Sequence, residues 1–233
     1  MLSKGLTMTI KTPSDVLNNT QAVLFDLDGT LLDTANDLGE ALNFVLRKYH
    51  LPEVPQAIYR PVASDGALGL LTLGFNSQLK NYDYDVLRTQ FLNFYQENIA
   101  RQTCLYPGVT ELLTRLNTDN IPWGIVTNKP EGLTKQLLPS FIELEQCAVM
   151  VGGDTLPQRK PDPEPLFYAC ETIKVDPKHC LYVGDAIRDI EAGNRAGMKT
   201  FVAQWGYIKS TDNIHEWQAD YILKSPQDLL LIR

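Results

Sequence analysis

Histidine is nearly absent: His50, His179 and His215 are the only three in 233 residues, and none stands at metal-binding spacing. Triad hydrolases with a histidine base and histidine-based zinc sites therefore have little support. Cysteine is sparse too. Cys104, Cys147, Cys170 and Cys180 show no CxxC spacing and lie mostly in apolar stretches, which favours reduced core thiols over zinc ligands or disulfides. Positive charge is in deficit, with 21 Lys and Arg against 28 Asp and Glu and a net charge of −7. Binding a polyanion requires a basic face, so no nucleic-acid partner is expected, although an anionic small molecule needs only local positive charge. No apolar run approaches the roughly 20 residues that cross a bilayer, so no membrane partner is expected. Residues 1–20 carry Lys, Thr, Ser, Asp and Asn where a signal peptide would be apolar; they read as a loose extension of a cytoplasmic protein. Repeats and low-complexity tracts are lacking as well. Nothing in the composition speaks to oligomeric state.

What is present is an alternation of short apolar runs and helical patterns. "AVLF" (22–25), "WGIV" (123–126), "CAVMV" (147–151), "CLYV" (180–183), "TFVA" (200–203) and "DYIL" (220–223) have no polar alternate positions, as expected of parallel strands buried on both faces. Between most of them lie "GVTELLTRLN", "EGLTKQLLPSF", "PEPLFYACETI" and "IRDIEAGNRAG", the last closing on Gly197 as a helix stop. The layout is α/β, a doubly wound, Rossmann-like parallel sheet.

One segment breaks the rhythm. The stretch between "AVLF" and "WGIV", residues 26–122, is far longer than one crossover helix needs. It contains "DLGEALNFVLRKY", "GALGLLTLGF" and "DVLRTQFLNFYQENI", the last with Val86, Leu87, Phe91, Phe94 and Tyr95 expected on one core-facing side. The expectation is an α-helical cap at 35–102, inserted into a core made of 21–34 and 103–233, with "LLDT" and "TCLYPG" as hinges.

The chemistry gathers where strands end. In an open parallel sheet ligands sit beyond the carboxyl ends of the strands, and Asp26 directly follows the first one. "DLDGT" places Asp28 two residues on, and Gly29 allows a sharp turn whose N–H groups can face an anion. A calcium loop starting at Asp26 would need glycine sixth and glutamate twelfth, but Leu31 and Asp37 stand there. Further strand ends supply Thr127, Asn128 and Lys129, then Lys160 in "RKPDPEP", then Asp185 and Asp189 in "GDAIRD". Carboxylates this crowded repel one another, and a hard cation such as Mg2+ relieves the repulsion.

The set "DLDGT", "VTNKP", "RKPDPEP" and "GDAIRD", in this order, resembles the haloacid dehalogenase superfamily in its phosphoglycolate phosphatase-like branch, over residues 21–233. The resemblance implies an Mg2+-dependent phosphatase acting on a small-molecule phosphate monoester. It makes Asp26 the nucleophile that forms an aspartyl-phosphate, Asp28 the general acid and base, and Thr127 and Lys160 the ligands of the phosphoryl oxygens. It puts the metal on Asp26, the Asp28 carbonyl and Asp185, with Asp189 in support. An aspartate at 28 favours phosphate esters over carbon–halogen bonds. "WGIVTNKP", "GDAIRDIEAG" and "WGYIKSTDNIHEWQAD" further resemble the bacterial N-acetylmuramic acid 6-phosphate phosphatases of peptidoglycan recycling, so that substrate competes with phosphoglycolate. A sugar phosphomutase on the same core and a noncatalytic interaction protein are the alternatives.

Several residues carry two readings. Asp189 suits a helix N-terminus as well as a metal site, and Lys129 competes with Lys160 for the phosphate. Asp33 and Thr34 read as caps of the first cap helix, Thr34 and Asp37 having capping-box spacing. Asn128 either satisfies buried backbone or contacts substrate or nucleophile. In "YRPVASDGALG", Arg60, Ser64 and Asp65 either meet the distal part of a substrate or form an ordinary capped turn. Phe91, Phe94 and Tyr95 are assigned to the cap's own core.

Overall fold

The computed structural model describes residues 20–231. The N-terminal extension, apart from Thr20, lies outside the described residues. Strand β1 (Ala22–Phe25) occupies the middle of a six-stranded parallel sheet of order β5-β4-β1-β6-β7-β8, with β4 Trp123–Val126, β5 Val149–Val151, β6 Cys180–Gly184, β7 Lys199–Ala203 and β8 Tyr221–Leu223. Its four residues are all buried because they feed two cores at once. Val23 and Phe25 join Trp123, Ile125, Leu181 and Phe201 on one face, while Ala22 and Leu24 join Val126, Cys180 and Tyr182 on the other. That is why the strands read as continuous apolar runs.

Helices cover both faces. Helix α4 (Val109–Thr118) adds Leu112, Leu113 and Leu116 to the first core, and α6 (Glu164–Ile173) adds Leu166 and Ala169 to the second, as α7 (Ile187–Arg195) does with Ala192. Between β4 and β5 lies α5 (Glu131–Leu137). Helix α7 gives way at Gly197, whose φ of 74° is open to glycine without strain.

After β1 the chain forms a two-residue strand β2 (Leu32–Asp33), antiparallel to β3 (Cys104–Leu105), and the helical segment hangs from this ribbon. It comprises α1 (Ala35–Lys48), a helical turn at Gln56–Tyr59, a tight turn at Arg60–Asp65, α2 (Gly66–Phe75) and α3 (Tyr84–Glu97). Leu38, Ala41, Leu42, Val45 and Leu46 make the buried stripe of α1 at helical spacing. On α3, Asp83 caps the helix by accepting from the N–H groups of Asp85 and Val86 at 2.9 and 3.3 Å.

Three local expectations are corrected. Val86 is 46% exposed, since Leu87, Phe91 and Tyr95 (i, i+4, i+8) set the buried direction and Val86 is turned about 100° away. The capping box at α1 does not form. Thr34 Oγ1 donates to Asp28 Oδ1 at 2.7 Å, and Asp37 accepts from Gln102 N, Thr103 N and Thr103 Oγ1, tying α1 to the returning chain. The N–H groups of Thr34 and Ala35 are capped instead by the Tyr207 hydroxyl, at 2.6 and 2.9 Å. Finally, Cys104 is exposed on its short edge ribbon, whereas Cys170 and Cys180 are buried free thiols.

Candidate active site

Asp26 leaves β1 with its N–H on the Val183 carbonyl at 2.9 Å, which sets its carboxylate at the carboxyl edge of the sheet, 3% exposed. Lys160 enters from the loop after β5. Its Nζ stands 3.0 Å from Asp26 Oδ1 and 2.7 Å from Asp189 Oδ1, near enough for charge pairing. Its directed hydrogen bonds, however, go to the Val126 carbonyl and the Tyr182 hydroxyl, at 2.8 and 2.7 Å. Asp26 Oδ1 and Asp189 Oδ1 are thus buried without a hydrogen-bond partner. The Lys160 ammonium is thus the charge that both oxygens share.

Asp185 completes a cluster. Ligand oxygens of Asp26, Asp185 and Asp189 lie within 4.8 Å of one another. Asp185 Oδ1 accepts from Thr30 Oγ1 at 3.2 Å, and Oδ2 from Tyr207 N at 2.8 Å and Ser64 Oγ at 2.9 Å. Asp189 combines its two readings, since its Oδ2 accepts from Ala186 N at 3.0 Å at the start of α7 while the residue belongs to the carboxylate cluster and pairs through Oδ1 with Lys160. Burial, and then the neighbouring Asp26 and Asp189, push Asp185 up to about 7. Asp189 is raised by burial against the pull of Lys160. Burial acts on Asp26 in the same sense, but Lys160 and Arg188 together hold it below the ordinary carboxylate value. Three clustered hard oxygen donors, two of them sharing a single lysine and the third raised by burial and by its neighbours, fit Mg2+ well.

Asp28 stands beside this cluster. Its Oδ1 accepts from Thr34 Oγ1 at 2.7 Å and from Lys129 Nζ at 3.0 Å. Lys129 Nζ also donates to the Tyr95 hydroxyl at 2.8 Å, and Asp28 and Tyr95 raise its pKa despite burial. The two lysines divide the carboxylates between them, Lys160 pairing with Asp26 and Asp189 and Lys129 with Asp28. Thr127 and Asn128 line the cavity above Asp26, Asn128 with its Nδ2 on the Lys160 carbonyl at 2.9 Å and its Oδ1 buried and unpartnered.

Two residues expected to bind substrate do something else. Gly29 gives its N–H to the Leu32 carbonyl at 2.9 Å, so that donor is spent within the turn. Its φ of 91° and its missing side chain matter for another reason, because a Cβ there would stand 2.2 Å from Asp185 Oδ2. Arg60 is also placed elsewhere. Its guanidinium grips Asp33 with two nitrogens, at 3.0 and 2.9 Å, and packs 5.4 Å from the Tyr207 ring centre, a geometry that matches a planar fork to a carboxylate. Ser64 does line the cavity, and Asp65 pairs with Lys209 at 2.6 Å and lies 3.8 Å from Arg188.

Sequence reasoning missed Tyr95, Tyr207 and Arg188 as parts of the site. Tyr95 lay in a helical apolar stripe that signalled only core; Tyr207 and Arg188 stood inside quoted motifs, but nothing in their spacing marked their contacts. The helical segment roofs the carboxylates, enclosing a cavity of about 1090 Å³ between the sheet edge and helices α2 and α3.

Known proteins share this arrangement. Residues 23–203 match the family model of haloacid dehalogenase-like hydrolases. A phosphoglycolate phosphatase of Xanthomonas campestris is 43% identical over 209 residues, 90% of this chain and 94% of that one. An N-acetylmuramic acid 6-phosphate phosphatase of Pseudomonas putida is 39% identical over 209 residues, again 90% of this chain and 94% of that one. Among solved structures, a predicted phosphoglycolate phosphatase from Haemophilus somnus superposes with a TM-score of 0.83 at 30% identity, covering 92% of this chain and 98% of its own. The four sequence motifs, the sheet that gathers them at one edge and these likenesses agree: the chain belongs to the haloacid dehalogenase-like hydrolase family, among its phosphatases.

Proposed function

We propose that this protein hydrolyses a small-molecule phosphate monoester through an aspartyl-phosphate on Asp26, with Mg2+ as cofactor. The observation that carries the reading is the Asp26 carboxylate itself: buried at the strand end, paired in charge with Lys160 and clustered with Asp185 and Asp189. Asp26 attacks phosphorus as the P–O bond to the leaving alkoxide breaks, and Asp28 delivers its proton to that alkoxide. Water then attacks the aspartyl-phosphate, Asp28 takes the water's proton, and the P–O bond to Asp26 breaks to return the carboxylate and inorganic phosphate. Thr127 and Lys160 hold the phosphoryl oxygens, and Thr34 and Lys129 fix the direction of Asp28. Bound by Asp26, the Asp28 carbonyl and Asp185, with Asp189 in support, Mg2+ would supply positive charge to offset that of the phosphoryl group. Residues 35–102 act as the cap, closing over the cleft and excluding water.

Between the two substrates, the cavity favours the larger. At about 1090 Å³ it lies just above the roughly 300–1,000 Å³ typical of pockets for drug-sized ligands, more than a two-carbon acid phosphate fills. N-acetylmuramic acid 6-phosphate is the proposed substrate. Phosphate release from it and from phosphoglycolate, side by side, with Mg2+ or a chelator, tests the reading. Higher kcat/KM on the amino-sugar phosphate, lost with chelator, supports it; preference for phosphoglycolate would assign the smaller substrate, and metal-independent turnover would refute the mechanism.

A further inference from the structure

The cations nearest the carboxylates are all engaged. Lys160 faces Asp26 and Asp189, Lys129 holds Asp28 and Tyr95, and Arg188 donates to the Ser64 carbonyl at 2.7 Å and faces Asp65. Two more guanidiniums line the same cavity, those of Arg88 and Arg159, and neither has a side-chain ion pair or hydrogen bond among the described residues. Arg159 adjoins Lys160 in the core loop. Arg88 is on the roof.

Its position along α3 gives a ruler. Tyr84, Arg88, Phe91, Leu92 and Tyr95 present one side of the helix to the cavity, and Tyr95 marks the catalytic end through its contact with Lys129. Arg88 lies seven residues earlier, which at ~1.5 Å rise per residue sets its backbone about 10 Å further along the helix axis. The space between is walled by Phe91 and Leu92 of α3 and by Leu68 and Leu73 of α2. From floor to far end the cavity therefore offers a phosphate site, an apolar middle and an unpaired guanidinium.

Phosphoglycolate and N-acetylmuramic acid 6-phosphate, the compounds named for the relatives, each carry a carboxylate besides the phosphate, and they differ in how far apart the two charges stand. In the two-carbon acid both charges would lie at the core end of the cavity, with Lys160, Lys129 and Arg159. A carboxylate on the far side of a sugar ring would instead reach Arg88, the one cavity-lining cation on the roof among the described residues. We propose that Arg88 is a specificity-determining residue that binds a carboxylate borne distally on a phosphosugar substrate; this rests on the phosphatase reading above and deepens it. The planar guanidinium can grip a carboxylate with two parallel N–H donors, which an ammonium cannot.

The test compares wild type, Arg88→Gln and Arg88→Lys on three substrates with Mg2+ present: N-acetylmuramic acid 6-phosphate, N-acetylglucosamine 6-phosphate, which lacks the carboxylate arm, and 4-nitrophenyl phosphate. Wild type should prefer the carboxylate-bearing sugar by about 10- to 100-fold in kcat/KM, the weight of one charge-assisted hydrogen-bonded contact. Arg88→Gln should abolish that preference through KM while leaving the other two substrates within about twofold, and Arg88→Lys should recover part of it. Wild type without the preference, or Arg88→Gln retaining it, would overturn the assignment while turnover of the aryl phosphate leaves the phosphatase reading intact. Failure of all three substrates, with unfolding midpoints unchanged, would overturn both.

Discussion

The floor and the roof of the cavity are built on opposite principles. On the floor Asp26, Lys160, Asp185 and Asp189 are 3, 2, 1 and 0% exposed, and each depends electrostatically on the others. The roof presents Leu68, 59% exposed, and Arg88, also exposed, side chains that face the cavity and solvent. Contacts that clasp the two together include Ser64 to Asp185, the Ser64 carbonyl to Arg188, Asp65 to Arg188 and Lys209, and Tyr95 to Lys129. A buried charge tolerates almost no substitution because removing one partner strands another, whereas a solvent-facing side chain can change at little cost to stability. The floor is thereby constrained by its own charges, while the roof can change without that penalty.

The sharpest way to break that contrast is Asp26→Asn. It should lower kcat by about 10⁴-fold or more and also lower the thermal unfolding midpoint, since the fold favours the ionised Asp26 and Lys160 loses one of its two carboxylate partners. Residual turnover near wild type would move the nucleophile elsewhere. Next in size is Lys160→Met, which strands Asp26 and Asp189 and should cost about 3–5 kcal/mol in urea unfolding without metal, with Mg2+ restoring part of it. An unchanged unfolding curve would show that the floor charges are not interdependent.

The third outcome concerns pH. Asp185 keeps its proton in the folded chain up to about 7, while the unfolded chain loses it near 3.8, so folding binds the extra proton between these values. Stability of the metal-free protein should therefore fall as pH rises across that window and level off above it. Asp189, raised by the same burial, adds to the fall, and Asp26, held low beside Lys160, opposes it at the acid end. Unfolding midpoints measured in chelator should show this slope, and saturating Mg2+ should remove it; a slope of the opposite sign would contradict the crowding. The smallest effect belongs to the clasp. Tyr95→Phe removes one hydrogen-bond partner from Lys129 and should reduce kcat by about 10-fold with little change in KM, an effect of order one hydrogen bond to a charged group.

Much of this was legible before any coordinates. Strand runs such as "WGIV" and "CLYV" announced burial on both faces, and the aspartates, threonine and lysines following them had to gather at one sheet edge once the strands were parallel. What escaped were contacts between residues far apart in the chain. Thr34 looked like a helix cap because capping is a local pattern, yet the cap comes from Tyr207, 173 residues away. Arg60 looked free to meet substrate until the fold set Asp33 against it. Gly29 looked like an anion nest, and its real neighbour is Asp185.

The sequence by itself determined the sheet, the helical insertion and the residues at the catalytic edge, because apolar periodicity and strand-end chemistry are local properties that each segment carries with it. Only the tertiary structure decided which lysine serves which aspartate, what caps the first roof helix and which cavity-lining cations are left without a partner among the described residues. Those outcomes depend on competition in space, where each donor takes the nearest acceptor the packing brings, and no spacing along the chain records who is nearest.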